Sequence, residues 1–208
     1  MSEYIDISVE IDEHMVCWPE TVYPKIDYKK SIAQGDSTND RNIYINLHTG
    51  THMDAPNHFI KDGNTIEQIC LDKCCGRVYV LNVEENVISE EVIDRNKEIF
   101  ERYTKVLFKT KNSNLSKGKF DCGFAAFDES GAVAILKYEI ELIGIDYLSV
   151  QKYGHENNIV HTLLLGNNTV LLENINLSQV DEGEYELFAF PIKIKGVEGA
   201  PVRAVLKK

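Results

Sequence analysis

The feature that most constrains this chain is the succession of short segments rich in β-branched and aromatic residues. They read YIDISVEI at 4–11, RNIYINLH at 41–48, GRVYVLNV at 76–83, TKVLFKT at 104–110, LIGID at 142–146, NTVLLEN at 168–174, YELFAFPIKI at 185–194 and APVRAVL at 200–206. Such residues suit a pleated, half-buried surface, so each segment predicts a strand. Helical stretches fall between them. In SEEVIDRNKEIFERY at 89–103, Ser89 can cap the start, Glu90 and Glu91 suit the first turn, and Val92, Ile99 and Tyr103 recur at helical spacing. DESGAVAILKYEIEL at 128–142 predicts a second helix, and IVHTLLLG at 159–166 a short third one with Gly166 past its end. Strands outnumber helices, yet the two types alternate through the middle. The expected fold is therefore α/β with a mixed sheet. No repeat, low-complexity tract or linker interrupts the 208 residues, so a single domain over 1–208 is expected.

Composition excludes several function classes. A net charge of −11 repels nucleic-acid phosphates. No apolar run approaches the roughly 20 residues needed to span a bilayer. The start, MSEYIDISVEIDEH, is acidic and alternating, unlike a signal peptide, which predicts a cytoplasmic protein. The five cysteines are irregularly spaced, and CLDKCC has no second Cys or His pair at a zinc-finger distance, so they read as reduced thiols.

Titratable chemistry concentrates in NLHTGTHMDAPNHF at 46–59, which holds three of the six histidines. In RNIYINLH, Ile43, Ile45 and Leu47 alternate with Tyr44, Asn46 and His48, which predicts the odd set in the core and the even set facing a cavity. His52, Asp54 and His58 continue the even count. On a straight strand His48 and His52 would lie roughly 13 Å apart, too far to share an ion easily, so the chain must bend, and Gly50 permits it. Two imidazoles and a carboxylate suit Zn²⁺ or another first-row divalent ion, and the two oxygens of Asp54 could bridge a pair. The competing reading is an inert, hydrogen-bonded sheet edge. Close imidazoles repel when protonated, so an enclosed cluster is more simply stabilised by a metal.

HTGTHMDAPNHF resembles the H-x-G-T-H-x-D-x-P-x-H signature of the cyclase-type metal-dependent hydrolases, the family that includes the bacterial kynurenine formamidases. DISVEI, Cys17–Pro19, GIDYLSV at 144–150, the 161–173 segment and GAPVRAVL extend the resemblance over essentially the whole chain. It implies a barrel-like sheet flanked by helices, of swivelling β/β/α type. It also implies two Zn²⁺ per subunit, with Mn²⁺ or another divalent ion as substitutes. His48, His52 and Asp54 would hold the first, and Asp54, His161 and Glu173 the second. Taken alone, His161 and Glu173 are core-edge residues with hydrogen-bonded partners, although Glu173 ends an apolar run where a carboxylate is costly without a cation. The resemblance gives His58 the role of general acid and base, against the alternative of merely orienting a ligand. It makes Trp18 a substrate contact, where a packing anchor would serve equally.

The activity implied is hydrolysis of a carbon–nitrogen bond other than a peptide bond, foremost in N-formyl-L-kynurenine. Another small or cyclic amide such as isatin is the alternative, and a non-catalytic metal-binding relative a third. The partners implied are a small-molecule amide and further copies of the chain in a homodimer or larger homo-oligomer. Two departures touch substrate choice: Glu20-Thr21 follows Trp18-Pro19 where the family has Gly-Asp, and Gln151-Lys152 follows Ser149-Val150 where it has Asp-Pro.

Overall fold

The computed structural model describes residues 3–115 and 118–208. Its strands, in chain order, are β1 (Tyr4–Asp6), β2 (Lys25–Lys30), β3 (Asp40–Tyr44), β4 (His52–Asp54), β5 (Cys75–Asn82), β6 (Val87–Ile88), β7 (Lys105–Lys109), β8 (Ala126–Phe127), β9 (Leu142–Ile145), β10 (Val170–Glu173), β11 (Gly183–Phe188), β12 (Gly199–Pro201) and β13 (Val205–Lys207). The helices are α1 (Glu90–Arg95), α2 (Lys97–Phe100), α3 (Glu129–Ile135) and α4 (Ile159–Gly166). Nine strands form one mixed sheet in the order β1-β13-β11-β5-β7-β9-β10-β4-β12.

The centre of that sheet is a parallel quartet, β5-β7-β9-β10. Parallel neighbours need long crossovers, and the helices occupy them: α1 and α2 lie between β5 and β7, α3 between β7 and β9, and α4 between β9 and β10. Quartet strands are accordingly buried on both faces. In β7, Leu107 joins the interior cluster with Met53, Leu172 and Leu206, while Val106 and Phe108 pack with Ile93, Ile135 and Leu164 under the helices. APVRAVL, read as one strand, is two. β12 ends one edge of the sheet and β13 sits beside β1 at the other, yet only Val202–Ala204 separates them. Three residues can span at most about 10 Å, so the two edges lie close together. The sheet curls on itself, as the barrel-like expectation requires.

Two expectations are corrected. The long helix at 89–103 breaks at Asn96, whose side-chain Nδ2 donates to the Val92 carbonyl at 2.8 Å and diverts the chain into two short helices. RNIYINLH is strand only to Tyr44, and its odd residues are not core. Ile43 is 52% exposed, and Ile45 and Leu47 are half-buried. Among the described residues β3 pairs only with β2, in a two-stranded ribbon apart from the main sheet. Ile26 faces Ile43 and Tyr28 faces Arg41 across the ribbon, giving one apolar-and-basic face that stands open, with Tyr28 68% exposed. Among the described residues no helix is long and apolar enough to cross a membrane, and all five cysteines are free.

Candidate metal centre

After the ribbon the chain turns through residues 45–51 before entering β4. Gly50 makes the bend. Its φ is +68°, and a Cβ there would lie 2.8 Å from Ile11 Cγ1. Thr51 pins the far side: its hydroxyl accepts from the Val9 amide at 2.8 Å and donates to the Asn174 carbonyl at 2.6 Å. His48 therefore comes from a turn and not from the strand of His52, and the two rings approach to 5.0 Å between centroids. Within β4, His52 and Asp54 share one face while Met53 points into the core on the other. A 3₁₀ turn over Pro56–His58 then stacks the His58 ring on His48, at 4.1 Å and 26°.

Neighbouring strands complete the cluster. β10 runs antiparallel to β4 with Glu173 directly across from His52. α4, which leads into β10, carries His161 and stacks it on Phe59 at 4.5 Å. On the other side β12 sets Gly199 across from Asp54. That position must lack a side chain, because a Cβ would come within 2.8 Å of His48 Cε1.

The distances suit a cation better than direct pairing. His52 Nδ1 contacts the Gly50 carbonyl at 3.0 Å; with the proton there, Nε2 keeps a free lone pair directed at the carboxylates. Nε2 lies 3.4 Å from both Asp54 Oδ1 and Glu173 Oε2, and His161 Nε2 lies 3.5 Å from Glu173 Oε1. Ligands bonded to one tetrahedral ion at 2.0–2.1 Å stand about 3.3 Å apart, the edge of the tetrahedron. Two groups meet the requirement for holding an ion, His48–Asp54–His58 and His52–Asp54–Glu173, and Asp54 belongs to both. Three buried atoms there have no hydrogen-bond partner among the described residues: His48 Nε2, Asp54 Oδ2 and His161 Nδ1. Buried polar atoms are rarely left so. The donor set of imidazoles and carboxylates fits a divalent first-row ion.

Charge is arranged to the same end. Burial pushes the His48 imidazole down, but the Asp54 carboxylate, 2.8 Å from Nδ1, outweighs it and lifts the group to about 9. Burial pushes Asp54 up, yet His48, His52 and His58 hold its carboxyl well below the usual range. Glu173 is pushed up by burial and by Asp54, and is held below its ordinary value by His161 and His52. The upward shift of His48 shows that positive charge is favoured there, as a bound divalent ion would supply. His58 differs. Burial lowers it, the Asp54 charge raises it, the His48 charge lowers it again, and the net shift is downward.

The cluster opens into a cavity of about 480 Å³. Trp18 lies in its wall, edge-on to Phe120 at 5.4 Å and Tyr153 at 5.5 Å. All seven residues singled out in the sequence thus border or line one site. Glu198 was missed. Its Oε1 is 3.5 Å from His48 Nε2, and the one sequence signal is an acidic residue immediately before GAPVRAVL. His155 is exposed and also stands in the cavity wall.

A curled mixed sheet carrying a buried imidazole–carboxylate cluster defines an α/β protein equipped to hold divalent metal. The Cyclase family model matches residues 5–152, and the chain belongs to that family. Kynurenine formamidase of Geobacillus thermodenitrificans is 31% identical over 212 aligned positions, covering 100% of this chain and 99% of its own. Among solved structures, a "predicted metal-dependent hydrolase" from Bacillus stearothermophilus superposes with TM-score 0.84 at 28% identity, covering 98% of this chain and 97% of its own. An isatin hydrolase bound to the product analogue thioisatinate gives TM-score 0.84 at 19% identity over 99% and 93%, a likeness of fold.

Proposed function

We propose that this protein is a metal-dependent amide hydrolase that converts N-formyl-L-kynurenine to L-kynurenine and formate. The observation that carries the proposal is the pair of 3.4 Å spacings from His52 Nε2 to Asp54 and Glu173, with Asp54 common to both ligand groups. By the family resemblance His48, His52 and Asp54 would hold one ion and Asp54, His161 and Glu173 the other, whereas the ligand-atom spacing groups His58 with His48 and Asp54, and His52 with Asp54 and Glu173; Asp54 is common to every set, and the donors favour Zn²⁺. Divalent ions bound there would lower the pKa of water to near neutrality and polarise a carbonyl oxygen. The chain's own residues do the rest. His58, its shift downward, is neutral at neutral pH and its Nε2 stands 4.0 Å from Asp54 Oδ2. It can take the proton of the attacking water and return it to the departing aniline nitrogen. Trp18 and Phe59 offer aromatic faces to the aryl ring of the substrate. The likeness in sequence to proteins named kynurenine formamidase, near full length, supports this substrate over others. The unusual Glu20-Thr21 and Gln151-Lys152 favour a second reading, another small or cyclic amide at the same centre.

Stripping the protein with a chelator is expected to abolish hydrolysis of N-formyl-L-kynurenine, and Zn²⁺ to restore it at two ions per chain. Turnover that survives complete metal removal would sink the proposal, and turnover of isatin alone would move it to the second reading. The open ribbon face supports the homo-oligomeric state, since an isolated apolar face of this kind marks an interaction surface. Light scattering is expected to give at least twice the mass of one chain, and a single-chain mass would remove that part.

A further inference from the structure

Lys152 is the one lysine or arginine among the described residues lining the cavity. It is half-buried, and no described carboxylate, carbonyl or ring pairs with it. Lys105 and Lys109, also drawn toward the interior, are matched: Lys105 meets Glu141 at 2.9 Å, and Lys109 donates to the Val180 carbonyl at 2.6 Å, while Lys111, half-buried and unmatched, lies outside the cavity. In a chain with 33 acidic side chains against 22 basic ones, partners for an ammonium are plentiful. An unmatched, half-desolvated one is therefore poised for an anion from outside the chain.

The backbone beneath it is fixed. Gln151 is buried, donates through Nε2 to the Asn157 carbonyl at 2.6 Å, and accepts from the Val160 amide at 2.9 Å. Its own amide donates to Ser149 Oγ at 3.1 Å, and that oxygen lies 3.4 Å from His161 Nε2. The loop that carries Lys152 is thus clamped to the start of α4 and tied to the metal cluster. The next residue, Tyr153, packs edge-on against Trp18, and both line the same cavity as Lys152.

We infer that Lys152 is a carboxylate-recognising residue, and that the cavity selects aromatic amides bearing a negatively charged group over neutral ones. This deepens the reading above and rests on it for the reaction. It also separates the two substrate classes, because formylkynurenine carries a carboxylate and isatin does not.

The chain's single tryptophan, Trp18, stands in the cavity wall and reports binding through its fluorescence. Titration of the zinc-loaded protein with L-kynurenine and with kynuramine, which lacks the carboxylate, is expected to show at least about tenfold tighter binding of kynurenine, as one charge-assisted hydrogen bond warrants. Lys152→Met should erase the difference, Lys152→Arg should keep it, and added salt should shrink it in the wild type alone. In turnover, Lys152→Met should raise KM for N-formyl-L-kynurenine by about 10–100-fold while kcat changes little, and leave KM for N-formylkynuramine as it was. A preference that survives Lys152→Met overturns the inference, as does the absence of any quench by kynurenine. Equal turnover of both formyl compounds by the wild type overturns it too, while the hydrolase reading stands. If neither compound is turned over but kynurenine binds in a Lys152-dependent way, the hydrolase reading fails and the subsite stands.

Discussion

Asp54→Asn is expected to abolish metal binding and hydrolysis together while leaving the protein folded. The substitution keeps the volume of a residue that is almost wholly buried between β10 and β12, so the backbone pairing of β4 has no reason to change. What it removes is the one negative charge common to both ligand groups. Changing a group that only orients a metal ligand typically costs 10–100-fold in affinity, and a carboxylate shared by two ions should exceed that range for each. Retention of His48, His52, His161 and Glu173 cannot compensate, because the three imidazoles supply no charge and Glu173 belongs to only one of the two groups. Gly199→Ala is the graded counterpart. Its added methyl would sit 2.8 Å from His48 Cε1 and 3.0 Å from the Met53 carbonyl oxygen, pressing on the His48 ring and on β4, so affinity should fall while Glu173 and His161, on other elements, stay in place. Elemental analysis and calorimetric zinc titration check both variants, with circular dichroism as the fold control. An Asp54→Asn protein that still retains two ions per chain would remove Asp54 from the centre of the site.

The same contrast between local and non-local determinants explains how much was legible beforehand. β5, β7, β9 and β10 were readable because each is a compact apolar run, as strands buried on both faces must be. The clustering of His48, His52, Asp54 and His58 was readable because eleven residues of chain hold all four, and the need for a bend at Gly50 followed from strand geometry. His161 and Glu173 were different. Each alone looks like a core-edge residue, and only the family resemblance singled them out before β10 was seen to place Glu173 across from His52. Glu198 and Gly199 gave no usable signal, since their meaning depends on the register of β12 against β4, a pairing between segments some 145 residues apart. The ribbon misled for an instructive reason. Alternation in RNIYINLH encodes one apolar face, but a sequence cannot say whether the surface that covers it belongs to the same chain. Asn96 broke a helix of good periodicity through a local side-chain-to-backbone bond, which competes with helix propagation.

His58→Ala should separate chemistry from metal binding, which Asp54→Asn cannot do. His58 stacks on His48 and keeps Nε2 4.0 Å from Asp54, yet its ring reaches the cavity and its side chain is 28% exposed. Positioned proton transfer by such a group contributes typically 10²–10⁴-fold, so kcat should fall by roughly that factor. Metal content is the deciding control, because His58 belongs to one of the two candidate ligand groups: a wild-type content leaves the lost rate to proton transfer, and loss of one ion per chain would make His58 a ligand. The pH profile distinguishes a proton carrier from a packing residue. Burial is the leading cause of the downward shift of His58 from 6.5, and cations bound beside it act in the same direction. A base with a lowered pKa is already deprotonated at neutral pH and becomes protonated only as the solution turns more acidic. In the wild type, kcat/KM should therefore stay level near neutrality and decline as pH falls below 6.5, whereas in His58→Ala that acidic decline should vanish. Small imidazoles added to the medium should restore part of the lost rate if the cavity left by the side chain admits them, and should leave the wild type unaffected. A variant with full activity, or one whose acidic decline matches the wild type at reduced rate, would assign the proton transfer to another group.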